Sequence, residues 1–283
     1  MLKEWISEYN PRNESEANDA FREIMQEIAL AGLSRTNFFE KAAFYGGTAL
    51  RIFYGLDRFS EDLDFSLLKP EVDFSLDDYF ASIIEEFSAL GIQVVIKEKN
   101  KKVSTTIDSA FLKTQTIWKE LVLVDTLFPN EIHHTKAIKI KIEVDRNPPQ
   151  GFDTEERLLL RPFSFYVKCF SPSCLFAGKM HALLYRKWNA RVKGRDWYDL
   201  EWYIKNKIPL NISHFAQRAK DTNDFNGEIM SRQDVLELLN AKIEQVSFSR
   251  IKEDIVRFVK DENVLKLWSE SYFKDLIKRM QLE

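Results

Sequence analysis

Apolar positions along this chain mix helical and alternating periods in the first part and keep the helical period alone in the second. Residues 15–33, "SEANDAFREIMQEIALAGL", set Ala17, Phe21, Ile24, Ile28 and Leu30 near helical spacing and stop at Gly32. A shorter helix is predicted after the "SRTN" cap, and "AFYGGTALRIFYG" then reads as a short strand, a tight Gly-Gly turn and a helix from about Thr48. Leu63 to Leu67 alternate strictly and predict a strand. The run "SLDDYFASIIEEFSALG" predicts a helix with Ser75 and Asp78 as a capping box, apolar positions at 79, 80, 83, 84 and 87, and Gly91 as its stop. Strand patterns follow at 92–97, 103–111 and 120–125, and the most regular is "IKIKIEVD" at 138–145. From 147 to about 170 the pattern is irregular and extended. Beyond 171 it turns helical, over roughly 172–188, 195–206, 213–220, 231–245, 249–260 and 264–280. The expectation is an α+β protein, with an α/β domain at 1–170 and a helical domain at 171–283.

Composition narrows this picture without redirecting it. With 283 residues, 45% of them hydrophobic and 22 of them Phe, the chain can bury a substantial core. A net charge of −3 gives no global field for nucleic acid, which leaves any such contact to a local basic surface. Cys169 and Cys174 lie in "CFSPSC" with no second pair at zinc-ligand spacing, and read as inert thiols of a reducing cytoplasm. His133, His134, His181 and His214 form no ligand pattern. The first residues, "MLKEWISEYN", lack an apolar signal core, and no run of about 18 apolar residues occurs, so a soluble cytoplasmic protein away from membranes is expected.

The candidate chemistry concentrates between Gly46 and Leu67. In "EDLDFSL", residues two apart share a strand face, so Leu63, Phe65 and Leu67 point one way and Asp62 and Asp64 the other. A backbone spacing of roughly 6.5 Å lets two carboxylates share one divalent ion or bridge two, as phosphoryl transfer requires. Upstream, Gly46-Gly47 opening a helix offers backbone N–H groups to an anion with no Cβ in the way, and Thr48 adds a hydroxyl. In "IKIKIEVD", Ile138, Ile140, Ile142 and Val144 form the apolar face, and Lys139, Lys141, Glu143 and Asp145 the other. Either Glu143 or Asp145 can complete a metal triad, and periodicity does not choose between them.

The stretches "GGTALRIFYGLDRFSEDLDFSL", "IKIEVDRNPP", "SPSCLFAGKMHALLYR" and "KGRDWYDLEWY" together resemble the AbiEii/AbiGii family of nucleotidyltransferase toxins, related to the MenT toxins. The resemblance runs from residue 46 to about 203; the C-terminal 80 residues match only in being helical. It implies a polymerase β-like nucleotidyltransferase core with a helical C-terminal domain. The implied protein is the toxin of a toxin–antitoxin or phage-abortive-infection system, with a cognate AbiEi-like antitoxin encoded nearby. The implied reaction moves a nucleoside monophosphate from an NTP to RNA, with tRNA 3′ ends the acceptor in characterised members, and needs Mg²⁺ or Mn²⁺. Carried over by position, Ser60, Asp62 and Asp64 fall in the first motif, Lys179 matches the lysine of the "GK" helix, and Asp196 the aspartate of "KGRD". The family's usual glycine-serine start stands here as Gly46-Gly47-Thr48.

The later motifs also read physically. Lys179 lies on a helix capped by Ser171 or Ser173, and its ammonium suits a triphosphate, where it stabilises charge on the leaving pyrophosphate. Asp196 opens the next helix and either orients Lys179 or acts as general base, while Asp199 is expected to pair with Arg195 or to cap that helix. Residues 179–195 hold six Lys or Arg and no acid. Arg186, Lys187, Arg191 and Lys193 are therefore candidate contacts to an RNA backbone, with Tyr185 and Trp188 placed for stacking. Two other readings compete: the same chemistry on a small molecule or a protein side chain, and an inert nucleotide-binding module. Asp62, Asp64, Lys179 and Asp196 together weigh against the second, which has no need of all four.

Overall fold

The computed structural model describes residues 1–97, 116–125, 138–186 and 193–283. The chain forms two compact units. The first contains Met1–Phe53, Ser60–Pro148 and Glu155–Cys169, and the second contains Tyr54–Phe59, Pro149–Thr154 and Phe170–Glu283.

The first unit is built on a seven-stranded sheet, ordered β3-β4-β5-β2-β1-β7-β6. The strands are β1 Ala42–Tyr45, β2 Leu63–Leu67, β3 Gln93–Lys97, β4 Thr116–Asp125, β5 Lys139–Asp145, β6 Thr154–Leu159 and β7 Phe165–Phe170. β2 sits between β1, antiparallel to it, and β5, parallel to it. The apolar positions face the core as expected: Leu63, Phe65 and Leu67 are buried, with Ser66 buried as well, and so are Ile138, just before β5, and Ile140, Ile142 and Val144 within it. β6 and β7 occupy the stretch that the sequence pattern leaves irregular. β7 does alternate, burying Phe165, Val167 and Cys169, but β6 is "TEERLL", whose polar residues give no apolar period. The strand expected at 103–111 lies outside the described residues.

Among the described residues the helices that accompany the sheet are α1 Leu2–Glu8, α2 Glu14–Ser34, α3 Phe38–Lys41, α4 Gly46–Tyr54 and α5 Phe80–Ala89. Asn13 caps α2, its side chain accepting from the Glu16 amide. Gly32 does not stop this helix, which runs on to Ser34. A Cβ on Gly32 would stand 2.5 Å from the Ile83 Cα, so the glycine lets α5 lie directly against α2. α5 begins later than the sequence suggests. A 3₁₀ turn, Asp77–Tyr79, precedes it, and the Ser75 hydroxyl accepts from the Asp77 amide rather than capping through Asp78.

The second unit is helical: α6 Pro172–Tyr185, α7 Gly194–Lys205, α8 Ile212–Asp221, α9 Arg232–Gln245, α10 Phe248–Ile255 and α11 Glu270–Ile277. The pattern over 264–280 divides, because Ser269 caps α11 by accepting from Tyr272 N and a 3₁₀ stretch, Glu262–Leu267, comes before it. Its core is aromatic. Phe176 of α6 stacks on Tyr203 of α7 at 4.3 Å, and Phe273 packs edge-on against Trp197 and Trp268. Both cysteines are buried free thiols, and burial pushes the Cys169 thiol well up from its ordinary range.

Candidate active site

In the first unit the chain leaves β1 at Tyr45 and enters α4 at once, two residues before the expected start at Thr48. Gly46 takes φ +85°, a left-handed conformation that suits glycine. Register explains why no side chain is present there. Tyr45 lies opposite Asp64, and a Cβ on Gly46 would stand 2.6 Å from Asp64 Oδ2. The first amides of α4, at Gly46, Gly47 and Thr48, thus open beside a carboxylate, at a helix end where backbone donors lack intrahelical partners.

Thr48 is buried, and its hydroxyl donates to the Asp62 carbonyl. Gln26 of α2 donates to the Ser60 carbonyl at 3.2 Å, so two side chains hold the backbone on either side of Glu61. Glu23 of α2 also grips Arg51 of α4 at 2.8 Å. Helix α2 therefore seats both the Gly-Gly helix and the strand that carries the aspartates.

Register separates the two candidates for a third carboxylate. Glu143 lies directly opposite Asp64, whereas Asp145 lies opposite Ser66. Neighbouring strands are about 4.8 Å apart, so Asp64 and Glu143 side chains stand side by side on one face. Lys141 pairs with Glu143 there. Among the described residues no three His, Cys, Asp or Glu side chains converge as a ready cluster. The donors on this face, Asp62, Asp64 and Glu143, are carboxylate oxygens, a set that fits a hard divalent cation and not a thiophilic one.

The second unit assembles the other motif residues. Pro172 starts α6 after Ser171, and neither Ser171 nor Ser173 caps it; their hydroxyls meet each other at 3.4 Å. Asp254 accepts from the Gly194 amide at 2.9 Å and so caps α7, which carries Asp196 in its first turn and Asp199 one turn on. Lys179 Nζ lies 2.9 Å from Asp196 Oδ1 and 2.8 Å from Asp199 Oδ2. Arg58 closes the cluster: Nε and Nη2 donate to the two oxygens of Asp199, both at 2.6 Å.

Asp199 thus pairs neither with Arg195 nor with the end of its helix. Arg195 lies over the Phe258 ring at 4.3 Å, and the partner of Asp199 comes from 141 residues away. Local sequence assigns Arg58 no role: its partner lies 141 residues on, and the need for a second cation follows from the burial of Asp196 and Asp199, which only the fold shows.

Charge within the cluster is settled by its own members. Burial pushes the Asp199 carboxyl up, but the Arg58 guanidinium and Lys179 ammonium overcome it and hold it at about 2. Burial likewise opposes ionisation of Asp196, and Lys179 and Lys193 outweigh it, so that group is also held low. Lys179 is raised, burial being outweighed by the two carboxylates. A carboxylate held low and clamped to an ammonium makes a poor general base near neutral pH. The geometry suits Asp196 to orienting Lys179, which spends two of its three N–H donors on carboxylates.

Of the basic segment, Arg186 and Lys193 are described, while Lys187, Trp188 and Arg191 lie outside the described residues. Burial first, then Lys179, Arg186 and Arg195, lowers Lys193 to about 8. Tyr185 stacks on Phe215 within the unit. His181 meets the Thr222 hydroxyl at 2.9 Å, and His214 is fully buried; His133 and His134 lie outside the described residues.

Comparison with known proteins now adds to the geometry. The family described as "Nucleotidyl transferase AbiEii toxin, Type IV TA system" matches residues 28–278. Among solved structures, JHP933 from Helicobacter pylori shares the fold with a TM-score of 0.50 and 15% identity, over 92% of this chain and 90% of that one. A proposed nucleotidyltransferase from H. pylori is similar with a TM-score of 0.48 and 17% identity, over 90% of each chain. No curated protein matches the sequence.

Proposed function

Because the chain belongs to the AbiEii family of type IV toxin–antitoxin nucleotidyltransferases, we propose that it transfers a nucleoside monophosphate from an NTP to the 3′ hydroxyl of an RNA, a tRNA in particular. The observation that carries this reading is the packing of Gly46 on Asp64, with Glu143 beside it, which sets a helix N-terminus and paired carboxylates together in one unit.

In the reaction the 3′ hydroxyl of the acceptor yields its proton to solvent water, its oxygen attacks the α-phosphorus, a new P–O bond forms, and the bond to pyrophosphate breaks. Asp62, Asp64 and Glu143 would hold Mg²⁺ or Mn²⁺, which when bound activates the attacking oxygen and neutralises phosphate charge. The Gly46, Gly47 and Thr48 amides bind phosphate oxygens, with the Thr48 hydroxyl bracing Asp62 and Ser60 at the edge of this loop. Lys179, oriented by Asp196, stabilises the departing pyrophosphate. Arg186 and Lys193, with Lys187 and Arg191, contact the acceptor backbone. In this reading the helical domain at 171–283 supplies Lys179 and Asp196. The toxin works in the cytoplasm and is countered by an AbiEi-like antitoxin. Among the described residues no helix is long and apolar enough to cross a membrane.

The test incubates the protein with each labelled NTP, Mg²⁺ and total cellular RNA. Label is expected on tRNA, and Asp64→Ala is expected to lose at least about 10³-fold in rate. Label confined to a low-mass product or to protein would replace the RNA acceptor with a rival one. Wild-type transfer by Asp64→Ala would remove the carboxylate assignment.

A further inference from the structure

The stretch Tyr54–Phe59 belongs to the second unit, although the chain before and after it belongs to the first. Bonds apart from the Arg58–Asp199 pair already fasten it there. The Tyr54 hydroxyl donates to the Phe170 carbonyl at 3.1 Å, and the Phe59 amide donates to the Phe258 carbonyl at 3.3 Å. The Tyr198 hydroxyl adds a third bond, to Asp57 at 2.6 Å. Arg58 is nonetheless only 2% exposed. Burying a guanidinium is costly unless it is partnered, and here each of its three nitrogens is: Nε and Nη2 donate to Asp199, and Nη1 donates to the Phe59 carbonyl at 3.0 Å. The Asp199 oxygen that meets Arg58 Nη2 also meets Lys179.

We propose that Arg58 and Asp199 are positioning residues for Lys179: the guanidinium fixes the Asp199 carboxylate, and the carboxylate aims the ammonium at the triphosphate. The inference rests on Lys179 acting on the triphosphate. An ammonium on a four-carbon stem has little direction of its own, whereas a guanidinium is a rigid planar fork. The fork removes the rotation of Asp199, and Asp199 with Asp196 leaves Lys179 one defined site. Charge matters as well as direction. Two facing carboxylates would cancel the ammonium and hold it back from a phosphate. Arg58 neutralises one of them, so Lys179 keeps charge to offer and a third N–H donor with which to offer it.

The deciding variant is the pair Arg58→Met/Asp199→Leu, which removes both charges together and leaves no buried charge unpartnered. Its unfolding midpoint is measured beside transfer from labelled NTPs to total cellular RNA. The midpoint is expected to stay close to wild type, while kcat falls on the order of 10²-fold, the scale of a misplaced reacting group. Adding Lys179→Met to the pair is expected to remove little more, since the three act as a unit. Wild-type turnover in the folded pair, or losses that simply multiply with Lys179→Met, would overturn the proposal and leave Lys179 its role. Wild-type turnover in Lys179→Met alone would instead remove the reading underneath. Should the pair fail to fold, Arg58→Lys decides, because it keeps the charge and loses the fork. A fall in kcat with an unchanged midpoint supports positioning, and unchanged kcat refutes it.

Discussion

Replacing Gly46 by alanine imposes two separable costs. The first is the backbone: a left-handed φ costs an L side chain about 1–2 kcal/mol. Gly91, at the end of α5, carries that cost alone, since its φ is +74° and an added Cβ there meets nothing within 4 Å. Gly91→Ala is therefore the control, with an expected fall in Tm of roughly 2–8 °C and unchanged transfer. Gly46→Ala adds the second cost, the overlap with Asp64. To restore an ordinary contact of 3.4 Å from the 2.6 Å approach, the carboxylate must retreat by about 0.8 Å. A displacement on that scale at a reacting centre costs on the order of 10²-fold in rate. Both variants are compared by thermal unfolding and by nucleotide transfer to total RNA. A Gly46→Ala protein that transfers as fast as Gly91→Ala would refute the view that Asp64 needs the space beside Gly46.

Two further outcomes are expected. Burial, and after it Arg218, lowers the His214 imidazole to about 4 from its usual 6.5. The unfolded chain then takes up the proton first, so the stabilisation is complete above about pH 6.5 and lost as the pH falls toward 4. Denaturant unfolding of wild type and His214→Phe should diverge over that window, with wild type losing more; parallel curves would contradict the assignment. In tRNA binding, exchanging Arg186 and Lys193 for Gln should flatten the dependence on salt by about two phosphate contacts. An unaltered slope would place those residues off the acceptor's path.

The strands were legible where one short window holds the whole signal. Alternation over Leu63–Leu67 and Ile138–Val144 needs no knowledge of the partner strand. Choosing Glu143 over Asp145 does need it, because the choice is the register of β5 on β2, which no local window contains. Asp199 failed for the same reason. Arg195 is its nearest cation in sequence, but the bond is made with Arg58. Gly32 shows the opposite error, a local stop signal overridden by tertiary packing: it is kept small for Ile83 of α5, not to end α2. β6 escaped because charged residues dominate it. The aspartate pair and the Gly-Gly turn stand out by residue type and spacing within one short window, whereas Lys179 stands out only through the family resemblance.

Synthesis order gives the Arg58–Asp199 bond a temporal meaning. A ribosome adding about 5–20 residues per second takes roughly 7–28 s to cover the 141 residues between the two partners. During that interval the nascent chain holds Arg58 without Asp199, and the lysine clamp does not exist. Asp62 and Asp64 emerge only a few residues after Arg58, whereas Glu143, Lys179 and Asp199 follow much later. On the proposed roles, a chain released early, before α7, carries Asp62 and Asp64 with no Lys179 clamp.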